Sequence, residues 1–233
     1  FYCTCAQNWG TYLGGSNWDV ISYCDMDDAG RLAVAFSTFS NDIPLVNTIS
    51  GSYTAPYVLN QDMCLMTFNS SRANIWTTYV SGQANEWAND LIFDDKNQLY
   101  VVGVSYSADF PVSNALGAGY YEPVKKTGAD GIQMMFSDSL ALLYSSFFGG
   151  NSNDVAFGIT IDSKKRIYVV GDAQSNNLDT INPYDGSYFD GIANGSYDGF
   201  LAEYDSTFNL RWATYLGGAG YDRISDVRVT PND

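Results

Sequence analysis

Thr214-Tyr215-Leu216-Gly217-Gly218 is the fourth appearance of one phrase. It stands earlier as Thr11-Tyr12-Leu13-Gly14-Gly15, Thr78-Tyr79-Val80-Ser81-Gly82 and Ser146-Phe147-Phe148-Gly149-Gly150. The anchors Tyr12, Tyr79, Phe147 and Tyr215 are 67, 68 and 68 residues apart, and Trp9, Trp76, Tyr144 and Trp212 each precede them by three. The register holds away from the phrase: Cys24, Leu91, Ile159 and Val227 correspond, as do Met26, Phe93, Ile161 and Val229, and then Asp62, Asp130 and Asp198. A fixed period of this length marks a repeat architecture, in which each unit buries its apolar faces against its neighbours.

Within one unit the pattern reads as four short strands. Val155–Ile161 alternates apolar residues, and 166–171 is a β-branched and aromatic run. Residues 198–204 and 210–216 supply the third and fourth strands. Tight polar turns, such as Asp27-Asp28-Ala29-Gly30 and Asp162-Ser163-Lys164-Lys165, join the first pair. No stretch sustains a helical period. Trp212 and Tyr215, three apart on one strand, point to opposite faces, so each fills a different layer between units. The expected fold is all-β: a β-propeller of four-stranded antiparallel blades with a 67–68-residue repeat. A β-solenoid competes, but its coils are usually far shorter. The blades are expected at 16–82, 83–150 and 151–218, with partial blades at 1–15 and 219–233. On this register the chain opens inside one blade and stops after a single strand of another, which predicts a segment of a longer protein.

The Tyr-Leu-Gly-Gly phrase, the acidic residue after it (Asp19, Glu86, Asp154, Asp222), Ile161-Asp162, Ile167-Tyr168-Val169-Val170-Gly171 and Asp109-Phe110-Pro111 together resemble the SBBP β-propeller repeat. The resemblance runs over essentially the whole chain. It implies a secreted or surface protein of bacteria, commonly Bacteroidetes, of the kind found beside adhesion modules and type IX secretion signals or in gliding machinery. The family has no single activity, so the resemblance implies fold and compartment rather than chemistry.

Composition narrows the function. Of 233 residues, 11 are basic and 26 acidic, a net charge of −15. Such a surface repels phosphate backbones and anionic lipid, so neither nucleic acid nor direct membrane insertion is expected. With no histidine in the chain, histidine triads, histidine metal ligands and the usual general base near neutral pH are excluded. The Gly-Gly pairs lack the lysine and following helix of a phosphate loop, and no EF-hand loop is present.

The second-to-third-strand loops, 46–61, 113–129 and 181–197, repeat poorly and carry Tyr53, Tyr57, Tyr120, Tyr121, Tyr184, Tyr188 and Phe189. Divergent loops on a repeated scaffold are where binding is expected, and aromatic rings beside Asn and Asp suit a sugar or protein partner. The opposing reading has these rings capping the loops against the blades. Asp19, Glu86, Asp154 and Asp222 recur beside the innermost strand; a ring of carboxylates is a possible calcium site, against a plain turn-fixing role. No other cofactor is expected. Paired carboxylates also leave open an enzyme acting on polysaccharide, but too many are equivalent to nominate a pair. The expected function is therefore a non-enzymatic extracellular module for binding, adhesion or assembly. Its partners are a protein or glycan on the loop face and further chain or other subunits at the open blade edges. The alternatives are that enzyme or a structural subunit of a filament or secretion complex. If the bacterial resemblance holds, Asp138-Ser139-Leu140, Asp179-Thr180-Ile181 and Asp205-Ser206-Thr207 look like O-glycosylation sites at Ser139, Thr180 and Ser206. Cys24 and Cys64 stand at core positions and are expected to be buried thiols. Cys3 and Cys5 fall on a turn.

Overall fold

The structure is a computed structural model that describes residues 9–230. The partial blade's first residues, with Cys3 and Cys5, and the final three residues lie outside the described residues. Among the described residues there is no helix. The first blade is β1 (Asp19–Met26), β2 (Leu32–Thr38), β3 (Asp62–Phe68) and β4 (Asn74–Val80). The second is β5 (Glu86–Phe93), β6 (Leu99–Ser105), β8 (Asp130–Phe136) and β9 (Leu142–Phe148), with the short β7 (Ser113–Asn114) added outside β9. The third is β10 (Asp154–Ile161), β11 (Ile167–Ala173), β12 (Asp198–Tyr204) and β13 (Leu210–Leu216). Each sheet is antiparallel in chain order, apart from β7 at the outer edge of the second. Each lies inside one expected blade, and the sheets do not close on one another.

One local rule makes the tight turns. An acceptor side chain at the first residue takes the N–H groups two and four residues on, an Asx turn. Asp27 Oδ1 accepts from Ala29 and Arg31, Asp94 Oδ1 from Lys96 and Gln98, and Asp162 Oδ1 from Lys164 and Arg166. Asn69 and Asp205 do the same between the third and fourth strands. The fourth residue of each turn is left-handed: Gly30, Arg72, Asn97, Leu140, Lys165 and Phe208. For Leu140 and Phe208 this costs backbone strain, offset because both side chains are fully buried between blades.

Inner strands carry a bulge at one shared position, where the register shifts between Ile21 and Tyr23, Ala88 and Asp90, and Ala156 and Gly158. Opposite it in the second and third blades stand Gly103 and Gly171, where a Cβ would lie 2.0 and 1.9 Å from the carbonyl oxygens of Trp87 and Val155. Only glycine admits that approach.

The expected division of the fourth-strand aromatics is what the structure shows. Trp76 packs towards the second blade with Met63, Leu65, Met134 and Phe136, whereas Tyr79 packs on the opposite face with Phe36, Cys64 and Met66. Tyr144 and Phe147 divide in the same way between the two cores flanking the second blade. Among the described residues the partial blades form no ladder. Residues 219–230 nevertheless take the seat of a next inner strand: Asp222 donates its N–H to the Tyr197 carbonyl at 2.9 Å, matching Glu86 to Gln61 and Asp154 to Ala129, both at 2.8 Å. A lone strand has no antiparallel partner among the described residues, so its remaining backbone groups stay unladdered. Arg228 reaches from this segment to Asp90 of β5 at 3.3 Å and to the Tyr23 hydroxyl of β1.

Candidate functional site

The upper rim, where fourth strands connect to first strands, is built from the Gly-Gly phrase and three acceptors. Gly15, Gly82, Gly150 and Gly218 donate their N–H to Asp19, Glu86, Asp154 and Asp222 at 2.9, 3.1, 2.6 and 2.8 Å. The next N–H goes to Asp42, Asp109 or Asn177, and the one after to Ser40, Ser107 or Ser175. The acids are tied to hydroxyls of the second strand's end as well: Thr38 to Asp19, Ser105 to Glu86 at 2.9 Å and Ser175 to Asp154 at 2.6 Å. The recurring carboxylates therefore close turns, each within its own connection. Among the described residues no three acidic or cysteine side chains come together at metal-holding distance, and Asp19, Glu86, Asp154 and Asp222 are not brought into one cluster. Glu86 is fully buried, and burial pushes its carboxyl up to about 7 against hydrogen bonds that hold it down. Burial raises Asp154 as well.

A second buried set, Asp62, Asp130 and Asp198, opens the third strands. One oxygen of each takes a loop N–H, from Val58, Lys126 and Asn194. The other oxygens of Asp130 and Asp198 sit where a Cβ on Gly149 or Gly217 would be. Burial pushes Asp130 up to about 6. Asp62, Asp130 and Asp198 are all buried among protein groups.

The divergent loops are not a rim surface. Each runs along the outer edge of its own blade and satisfies the fourth strand's free backbone groups. Thr77 and Tyr79 donate to Val46 and Ala55, Phe147 to Glu122, and Ala213 and Tyr215 to Ile181 and Asp190. At its far end the loop clasps the next blade: Tyr53 N–H donates to the Leu140 carbonyl and Tyr120 N–H to the Phe208 carbonyl, both at 2.8 Å. Trp76, Tyr144 and Trp212 hold the loops from inside, donating to the carbonyls of Tyr53, Tyr120 and Tyr188 at 2.7, 3.1 and 2.9 Å. The backbones of Tyr53 and Tyr120 are thus structural clasps. Burial pushes the Tyr53 phenol up to about 12 and raises Tyr120 too. Tyr57 packs on Tyr79 with ring centroids 5.5 Å apart, and Tyr121 packs against the core between the second and third blades. Phe189 is half-buried. Tyr184 (90% exposed) and Tyr188 (56%) alone face solvent broadly. They lie on the third blade's loop, beyond which no described blade offers a turn to clasp. Ser139 and Ser206 are exposed in third-to-fourth-strand turns, and Thr180 is half-buried beside the outer strand.

Sequence reading expected open blade edges but did not name the residues that form one. On β1, Ile21 (53% exposed) and Met26 (60%) face outward, whereas their counterparts Ala88 and Phe93 are buried in the core between the first and second blades. Cys24 is exposed for the same reason, against expectation, although its counterparts Leu91 and Ile159 are buried; Cys64 is buried as expected. Trp18, also on this edge, rests on Phe39. The apolar character of these residues was visible, but only the absence of a covering blade distinguishes them from core.

Residues 144–179, from the fourth strand of the second blade through the Gly-Gly turn into β10, β11 and the following loop, match the SBBP beta-propeller repeat family. The match spans the element whose turn network recurs on the upper rim, and the chain carries a β-propeller repeat of this type. No curated protein matches the chain.

Proposed function

We propose that the chain is a non-enzymatic β-propeller module that acts outside the cell, at a bacterial surface, in adhesion or assembly. Further chain or another subunit covers the open edge at β1, in the manner of a type IX-secreted or gliding-associated surface protein. The observation behind this reading is that Ile21, Cys24 and Met26 leave uncovered the face that Ala88, Leu91 and Phe93 bury at the next junction, a seat for further chain or another subunit. Unpaired apolar edges of this kind are strong templates for association. The loops are taken up in covering outer strands, which leaves a glycan partner only Tyr184 and Tyr188. The reading calls for no cofactor. Sugar on the exposed Ser139 and Ser206 fits an extracellular place, and an intact mass above the encoded one would register it.

Cys24 provides a reporter for the edge. Alkylation of Cys24, followed by peptide mass mapping, is expected to be at least about tenfold slower on intact source cells than on the purified chain. Replacing Ile21 and Met26 with Glu is expected to remove that protection. Equal rates on cells and in solution would overturn the reading.

A further inference from the structure

On the lower rim, where the tight turns meet, the two internal junctions differ at one position. Between the first and second blades the Arg31 guanidinium fills the seam. Its Nε donates to Asp27 Oδ2 at 2.9 Å, Nη1 to the Asp138 carbonyl at 2.6 Å, and Nη2 to the Asn97 carbonyl at 2.8 Å and Asp138 Oδ1 at 3.1 Å. The group lies over the Phe93 ring, 5.1 Å from its centroid. One repeat later, Arg31 is replaced by Gln98, and Asp27, Phe93, Asn97 and Asp138 by Asp94, Ile161, Lys165 and Ser206. All five of these line an open cleft of about 220 Å³ between the second and third blades.

We propose that this cleft is a receptor for the guanidinium of an arginine side chain presented by a partner polypeptide. The seat keeps three of the four acceptors that hold Arg31; the fourth, Asp138 Oδ1, has no equivalent at Ser206. Asp94 spends Oδ1 on its own turn, as Asp27 does, which leaves Oδ2 in the role that Asp27 Oδ2 plays for Arg31. The carbonyls of Lys165 and Ser206 belong to the backbone and survive the change of side chain. Ile161 provides an apolar floor in place of Phe93, and Tyr100 walls the cleft beside Asp94. The volume suits one side chain rather than a small-molecule ligand, whose pockets run about 300–1,000 Å³. A planar fork of five donors matches a carboxylate and two carbonyls in a way an ammonium does not. The two lysines at the mouth do not bar a cation, since Lys165 Nζ is held by Asp95 at 2.7 Å and the carboxylates of Asp94 and Asp95 equal Lys96 and Lys165 in charge. The inference stands apart from the β1 edge and does not depend on it.

The test is amide chemical-shift titration of the full chain with arginine amide, lysine amide and inorganic phosphate. Arginine amide is expected to bind with a dissociation constant on the order of 1 mM and to shift the amides of Gln98, Lys165, Ser206 and Thr207. Gln98→Arg is expected to abolish those shifts by filling the seat from within. Arg31→Gln is expected to add a second set at Asn97 and Asp138. Three outcomes would each overturn the proposal: no shift with arginine amide, equal shifts with lysine amide that persist in Gln98→Arg, or shifts at these amides produced by phosphate alone.

Discussion

The first-to-second and second-to-third blade junctions share a backbone and differ in almost every side chain that fills them. The first is aliphatic and sulfur-rich, with Leu65, Met63 and Met134 around Trp76 and Phe136. The second is aromatic: Phe208 stacks on Tyr144 with centroids 4.0 Å apart, and Tyr100, Tyr204, Phe148 and Phe200 surround the pair. Where the first junction has Leu65 and Phe136, the second has Gln133 and Tyr204, joined by a buried hydrogen bond of 3.0 Å. The lower seam is plugged by Arg31 in one and open in the other. The recurrent turns and clasps are backbone-centred, so they hold the blade spacing while the filling varies. Each junction is therefore free to acquire its own stability and its own opening.

The sharpest way to break that comparison is to empty each junction at its left-handed plug. Phe208→Ala removes a fully buried ring that touches Tyr100, Tyr144 and Tyr204. It is expected to cost about 3–5 kcal/mol, against about 2–4 for Leu140→Ala. Urea denaturation monitored by tryptophan fluorescence measures both. An equal cost would mean that the aromatic stack adds nothing beyond volume.

The next effect separates the junctions by acid. Glu86, at the rim of the first, titrates in the folded chain at about 7 against an ordinary 4.5, and Asp130, at the rim of the second, at about 6 against 3.8. Burial is the leading cause in both. Folding therefore takes up protons: the penalty is full above pH 7 and is relieved as pH falls through 7 and then 6 towards 4. Stability is expected to rise on mild acidification, with Glu86 contributing about 2–3 kcal/mol at about 1.4 kcal/mol per unit. Relief of repulsion in a chain of net charge −15 has the same sign, so the informative quantity is the difference between variants. Glu86→Gln is expected to flatten the step near pH 7, and Asp130→Asn the step near pH 6, in melting temperatures recorded from pH 8 to 5. Unchanged slopes in both would show that neither carboxyl titrates there.

What was legible in the sequence follows from the same division. The repeat placed β12 and β13 at their observed bounds and β10 and β11 to within two residues, because alternation and the Asx turns are local signals. It also made Asp19, Glu86 and Asp154 candidates for turn-fixing, the role their hydrogen bonds show. The loops were open to two readings, binding or capping, and their structural part is a capping one. Their sequences vary because backbone groups cover the outer strands, and even the contacts with Trp76, Tyr144 and Trp212 are made by main-chain carbonyls. Cys24 was misplaced because burial at β1 depends on a neighbouring blade, which local pattern does not encode. The cleft at Gln98 was invisible until Arg31 was seen to fill its counterpart.

That last contrast yields the smallest and most specific effect, because it exchanges the two seams by single substitutions. Arg31→Gln removes three charged hydrogen-bond partnerships and leaves the buried Asp27 carboxylate with only its turn N–H donors. A cost of about 1–3 kcal/mol is expected for charge-assisted bonds of this kind. Gln98→Arg should regain less, about 1 kcal/mol, since Ile161 offers no ring to lie on and Ser206 lacks the second oxygen that Asp138 supplies. If both substitutions are combined, the gain and loss should add, because the seams lie in separate junctions and share none of the residues that Arg31 touches. A double variant more stable or less stable than that sum by over about 1 kcal/mol would show that the seams are coupled through the second blade, and that the junctions are not independent after all.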